Sequence, residues 1–176
     1  MVPKITDPGR DMRVLRVLLL LALVGLVSAC GSKFKTYDGP AVTRILVYKE
    51  NRTMYLMHHD TALRGFNIDL GFQPQGPKAV EGDGKTPEGE FFIDRKNPNS
   101  DFHLSLGISY PQPHHREAAR ELGQSAGGDI FIHGGPRPRI DRRGPDWTAG
   151  CIAVTNDEME DIYAMVRIGT PISIYP

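Results

Sequence analysis

A chain of 176 residues, 40% of them hydrophobic, is long enough for one ordinary globular domain with its own core. Its 21 basic and 21 acidic side chains balance, which argues against a charged disordered tail. No basic run is present to track a phosphate backbone, so a nucleic-acid partner is not expected.

At the amino terminus Arg10, Arg13 and Arg16 precede an unbroken apolar run from Val17 to Val27, followed by Ser28-Ala29-Cys30. A basic stretch, a short apolar run and small residues at a cut site are the marks of a secretory signal. The run falls short of the ~20 residues a spanning helix needs, and a buried helix or an uncleaved anchor is the alternative. Val27-Ser28-Ala29-Cys30 resembles the bacterial lipobox. That resemblance implies a signal peptide over 1–29, cleavage before Cys30, and acyl chains on Cys30 that hold the protein to a membrane; Met1 and Met12 are both candidate starts. Two or more chains anchor firmly where one does not. Gly31 after the lipidated cysteine, by its similarity to enterobacterial sorting signals, favours the outer membrane, with the protein exported and facing the periplasm. Cys151 then becomes a single free thiol in an oxidising compartment, which needs a reason. A buried apolar cysteine, or a disulfide with Cys30, are the alternatives.

Residues 30–41 read as the lipid-attachment cysteine and a tether. Beyond them, Arg44–Tyr48 and Thr53–Met57 are β-rich runs around the polar turn Lys49-Glu50-Asn51-Arg52, which predicts a hairpin. A third run spans Ala62 to Leu70. Residues 71–89 are too rich in glycine and proline for regular structure and predict a long loop. Strands resume over Glu90–Asp94 and Phe102–Leu106. A helix is expected over His114–Gly123, then an apolar strand Asp129–His133. A second helix is expected over Asn156–Arg167, started by a Thr155 cap with Glu158 three residues on, its apolar face built from Ile162, Met165 and Val166. Pro171–Tyr175 closes the chain as a strand. The fold class is mostly β with two helices, in one domain.

His133 ends its strand against Gly134-Gly135-Pro136, where a rigid scaffold aims an imidazole at a flexible rim. Thr148-Ala149-Gly150-Cys151 places a thiol after a glycine that permits a tight turn with exposed amides. An imidazole that accepts the thiol proton makes a nucleophile, and the amides of Gly150 and Cys151 are candidate oxyanion donors.

These motifs resemble the L,D-transpeptidase catalytic domain of the YkuD type, whose pattern is His-Gly at a strand end followed by Ser/Thr-x-Gly-Cys. His133-Gly134 and Thr148-Ala149-Gly150-Cys151 carry the match. Gly84-Lys85-Thr86-Pro87-Glu88-Gly89-Glu90-Phe91 and Gly169-Thr170-Pro171-Ile172 add to it, and Asn97–Leu106 through Tyr110-Pro111 is similar to a lipoprotein-like subgroup. The resemblance covers the chain from about Ala41 to Pro176. It implies a β-sandwich-like catalytic domain over 42–176 acting on peptidoglycan stem peptides. Cys151 is acylated by a tetrapeptide with release of D-alanine, and an acceptor amine, on another stem, an acceptor lipoprotein or a free D-amino acid, resolves the thioester. His133 acts as base then acid, its ring oriented by the Gly134 carbonyl; no metal or cofactor is implied. The alternatives are hydrolysis at the same site, as an endopeptidase or carboxypeptidase, and a non-catalytic wall-binding lipoprotein. Ala149 and Ala153 stand where the commonest family form has histidine and arginine, which puts substrate orientation and acceptor choice in question.

Arg137, Arg139, Arg142 and Arg143, set among prolines, either grip stem-peptide carboxylates or form a solvated loop. Thr148, Trp147, Tyr110 and His103 are further candidate substrate contacts; for Trp147 the alternative is a pocket wall, and for Tyr110 and His103 it is core packing or plain exposure. Adjacent histidines, as in His58-His59 and His114-His115, point apart on a strand or helix and do not make a natural chelate, so no metal is expected.

Overall fold

Alternation of apolar and polar residues builds the first hairpin. In β1 (Arg44–Tyr48) Ile45 and Val47 are buried, and in β2 (Thr53–His58) Met54 and Leu56 are. The two strands pair antiparallel with Leu46 opposite Tyr55, so one face of each enters the core. The computed structural model describes residues 32–138, 141 and 144–176. The proposed signal peptide, Cys30, Arg139, Arg142 and Arg143 lie outside the described residues. Residues Phe34–Pro176 form one compact unit.

β3 (Thr61–Asn67) pairs with β2, β4 (Gly89–Asn97) follows the long loop, and β5 (Ser105–Ile108) pairs antiparallel with β4 across an irregularity between Ile93 and Arg95. After helix α1 (Pro113–Glu121) come β6 (Phe131–His133) and β7 (Ile152–Ala153), then helix α2 (Asn156–Met165) and β8 (Pro171–Tyr175). The spatial order is β3-β2-β1-β8-β4-β5-β6-β7, with β1–β8 and β6–β7 parallel. The segment following β3 bridges back to the far end of the sheet, through Asp69 to Ala153 and Gly71 to Thr148. The two edges of the sheet thereby meet, and the sheet curls around the core.

The expected strand over Phe102–Leu106 begins only at Ser105. His103 takes a left-handed φ of 72° and Ser100 Oγ accepts from the Phe102 N–H at 3.1 Å, so the chain turns before it can pair. α1 ends at Glu121 and α2 at Met165, each two residues short of expectation. α2 starts as its sequence predicts, with Thr155 Oγ1 accepting from the Glu158 N–H and the Glu158 carboxylate accepting from the Thr155 N–H. Its buried face is Met159, Ile162 and Met165, joined by Val166 just past the end. Lys96 Nζ donates to the carbonyls of Tyr163 and Val166, placing a cation where the helix leaves carbonyls unpaired.

Lys49, read as part of a polar turn, is 2% exposed. Its ammonium donates to Gly76 O at 2.7 Å and Thr86 O at 3.1 Å and pairs with Glu88 at 2.6 Å. All three protons have acceptors, which is what makes a buried ammonium tolerable. This one side chain fastens the irregular 71–89 segment to the hairpin. Lys49→Met leaves the Glu88 carboxylate without its cation, and a loss of about 3 kcal/mol is expected in urea unfolding, at the lower end for a broken buried pair because Glu88 keeps some solvent contact. An unchanged midpoint would contradict the anchoring role.

Candidate active site

β6 and β7 run parallel with His133 opposite Ala153. Side chains alternate along a strand, so Cys151, two positions before Ala153, falls on the same face as His133. Both side chains line one cleft of about 260 Å³, with Asn97, Ser100, Phe102 and Ser105 on its other walls.

The imidazole is held on every side. Its ring stacks tilted on Phe102, with centroids 4.3 Å apart, and meets Trp147 edge-on at 5.6 Å. Trp147 is fixed in turn by Nε1–H donation to Asp69 Oδ2 at 3.0 Å. Beyond Phe102, the Arg137 guanidinium lies 4.2 Å from the ring centroid. His133 Nδ1 is 2.6 Å from Gly134 O. A carbonyl oxygen only accepts, so Nδ1 carries the proton and Nε2 keeps its lone pair. A Cβ at Gly134 would lie 2.6 Å from Asn156 Oδ1, a side-chain end that can swing aside, and 3.0 Å from the Phe102 carbonyl, a tight contact with backbone.

The Thr148–Cys151 turn is built from its own residues. Thr148 Oγ1 donates to Cys151 O at 2.7 Å and accepts from the Gly150 N–H at 3.1 Å. Gly150 adopts φ +133°, and a Cβ there would sit 2.6 Å from the Lys85 carbonyl. The loop fastened by Lys49 therefore presses against the turn that carries Cys151. The sulfur lies 3.4 Å from the Phe131 N–H, which donates to it, and 3.5 Å from Asp129 O.

Burial lowers the His133 pKa, opposed by the Gly134 hydrogen bond and by Asp141. Burial pushes the Cys151 thiol up, opposed by the Phe131 amide and reinforced by Asp129. Both shifts favour the uncharged forms, so the resting pair at neutral pH is thiol and imidazole. The imidazole can accept a proton only when neutral; its lowered pKa keeps it neutral to below its ordinary ~6.5. Acylation of Cys151 by a stem peptide, which uses the neutral imidazole as its base, is therefore expected to lose rate on acidification only below about pH 6.5, measured as the acylation rate against pH. An acid limb centred above that value would contradict the burial-dominated shift.

The other expected contacts sort differently. The Gly150 N–H, a candidate oxyanion donor, is engaged by the Thr148 hydroxyl. Thr148 is buried, and its hydroxyl is spent on the turn that carries Cys151. His103 faces α2, with Nε2 2.9 Å from Glu160 Oε1; its left-handed backbone turns it away from the cleft that Phe102 and Ser105 line. Tyr110 is buried and donates to Ala126 O at 3.1 Å, and desolvation pushes its pKa up to about 12; it borders an adjoining cleft, not this one. Arg137 is chelated by Asp141, with NH2 to Oδ1 at 2.7 Å and its backbone N–H to Oδ2 at 2.6 Å. Its charge has a partner within the chain, and it braces Phe102. Sequence reasoning missed Phe102, Asp69, Asp129 and Asp141 as site residues. Phe102 lay inside a recognised motif; isolated aspartates carry no periodicity that would mark them.

A family model of the L,D-transpeptidase catalytic domain, YkuD, matches residues 42–174. Among curated proteins, YafK of Escherichia coli (strain K12), provisionally named an L,D-transpeptidase, is 26% identical in an alignment covering 94% of this chain and 71% of the relative. Among solved structures, the helical cell shape determining protein Pgp2 from Campylobacter jejuni is 25% identical with a TM-score of 0.59, over 78% of this chain and 49% of that one. The chain thus spans about half the length of that structure. An L,D-transpeptidase from Mycobacterium smegmatis superposes with a TM-score of 0.52 at 17% identity, over 77% of this chain and 59% of that one, a likeness of fold.

Proposed function

Because this chain belongs to the YkuD family of L,D-transpeptidase catalytic domains, we propose that it is a cysteine-dependent transpeptidase of peptidoglycan stem peptides. The observation that carries the reading is the His133 hydrogen bond to Gly134 O, which leaves Nε2 basic in the cleft that Cys151 also lines.

In the proposed reaction His133 Nε2 takes the Cys151 proton as sulfur bonds to the carbonyl carbon between the third and fourth residues of a donor tetrapeptide. The carbonyl oxygen becomes an oxyanion, for which the Cys151 amide is the proposed backbone donor, since the Gly150 amide already serves Thr148. The carbon–nitrogen bond then breaks, the imidazolium returns the proton to the leaving amine, and D-alanine departs. An acceptor amine attacks the thioester, the carbon–sulfur bond breaks, and the thiol is regenerated by way of His133.

The full chain incubated with tetrapeptide muropeptides is expected to give dimers with loss of D-alanine, absent for Cys151→Ala, by mass spectrometry. Shortened or separated peptides without dimers would instead make the protein a hydrolase. The amino-terminal pattern supports export and lipid anchoring at Cys30, facing the periplasm, with the outer membrane favoured. Metabolic labelling with an alkynyl fatty acid that is lost in Cys30→Ala tests the anchor; equal labelling of both chains would contradict it.

A further inference from the structure

Backbone strain lies one residue away from the imidazole's packing partner. His103 has φ 72°, and the Leu104 N–H donates across it to Phe102 O at 2.9 Å. A hydrogen bond that spans one residue at such a φ is the rare, strained form of γ-turn. Before the turn, Phe102 stacks on the His133 ring with centroids 4.3 Å apart, and its carbonyl also accepts from the Gly134 N–H at 3.1 Å. Gly134 O is the acceptor that orients His133 Nδ1. After the turn, Leu104 is fully buried, and Ser105 pairs with His133 across β5 and β6. One strained turn thus touches the imidazole, the residue that orients it and the strand that carries it. The His103 side chain leads away to α2, where Nε2 is 2.9 Å from Glu160 Oε1. A carboxylate only accepts, so Nε2 is the donor. The other oxygen of Glu160 lies 3.6 Å from Lys35 Nζ, which Asp161 also holds at 2.8 Å. A hydrogen bond to a carboxylate is comparable in size with the strain of one left-handed residue, so the pair can hold the turn.

Resting on the reading of His133 as the base of a cysteine transpeptidase, we infer that Glu160 is a positioning residue: it holds His103, and with it the turn that keeps Phe102 on the His133 ring. Neither Glu160 nor His103 lines the cleft that His133 and Cys151 share, so the pair acts through Phe102 and Gly134. Without Glu160, the turn relaxes towards negative φ and Phe102 leaves the imidazole. The orientation of Nε2 then loosens, and small errors in the placement of a reacting group are costly in rate. Glycine adopts left-handed φ without strain, so a glycine at position 103 keeps the turn without any help from α2.

The test follows Cys151 acylation by tetrapeptide muropeptide in the full chain, as maximal rate and half-saturating concentration. Glu160→Ala is expected to lower the maximal rate about tenfold with the half-saturating concentration unchanged. Glu160→Gln, whose amide oxygen still accepts from His103, should stay close to wild type. The double variant Glu160→Ala with His103→Gly should recover most of the lost rate, which a general loosening of α2 would not allow. A wild-type rate in Glu160→Ala, a loss confined to the half-saturating concentration, or a double variant no faster than Glu160→Ala would each overturn the positioning role. In parallel, nuclear magnetic resonance reads the His133 ring protons, identified by their absence from His133→Ala and shifted by the ring current of Phe102. Their shifts should change in Glu160→Ala and return in the double variant. If wild type is not acylated, the transpeptidase reading fails on its own, and the resonances still decide the positioning; His133 shifts unchanged in Glu160→Ala would overturn it.

Discussion

His133→Ala is expected to lower the rate of Cys151 acylation at neutral pH by about a thousandfold, the middle of the range for a lost general base. The size follows from the resting state of the pair. Burial pushes the thiol up, so without an imidazole very little sulfur is ionised, and the thiolate is the attacking species. The variant should therefore show a distinctive pH dependence. Residual acylation should climb about tenfold per pH unit until the thiol titrates, where the wild type has already levelled off. A fold effect is separated by the same profile, because a merely loosened site would lose rate without changing its slope. The imidazole also packs between Phe102 and Trp147, so near-ultraviolet circular dichroism should accompany the kinetics. A variant that keeps wild-type rates at neutral pH would remove His133 from the chemistry.

Gly150→Ala is expected to cost about 3 kcal/mol of stability, through strain at a φ that side chains rarely adopt and overpacking against neighbouring backbone. A Cβ at this position meets the Lys85 carbonyl at 2.6 Å and Ile130 Cδ1 at 3.3 Å. Backbone cannot yield as a flexible side-chain end does. Relief has to come from moving the Thr148–Cys151 turn, which shifts the sulfur relative to His133, so acylation should fall by at least about a hundredfold. Gly82→Ala is the matched control. It too has positive φ, +79°, but nothing lies within 4 Å of its Cβ, and a loss of about 1 kcal/mol with little kinetic effect is expected. If both variants unfold at the same urea concentration, the close approach at Gly150 carries no weight.

The sequence was informative where one residue's neighbours decide its role. The Thr155–Glu158 cap, the alternation of Ile45 with Val47 and of Met54 with Leu56, and the His-Gly and Thr-x-Gly-Cys motifs are local patterns, and the elements they predict are present. Sheet order was not legible, because β8 enters between β1 and β4 and strand pairing over such separation leaves no mark on spacing. Lys49 looked like a surface turn residue, since nothing local reveals that Glu88 and two loop carbonyls converge on it. Tyr110 and His103 were drawn towards the site by a motif, yet the hydroxyl of one is spent in the core and the other turns to Glu160. Arg137 shows the same limit: its carboxylate partner, Asp141, belongs to the chain. Within the site, His133, Cys151 and Trp147 were legible from the motifs and their neighbours, while Phe102, which packs on the imidazole, and Asp69, which fixes Trp147, are identified only by three-dimensional contact.

The most direct measurement is the intact mass of the full chain after brief exposure to a tetrapeptide stem, followed by peptide mapping. The expected added mass equals the stem without its terminal D-alanine, located on Cys151, discharged by an amine and missing in Cys151→Ala. Turnover of the stem with no adduct on Cys151, or with an adduct that survives in Cys151→Ala, would contradict it.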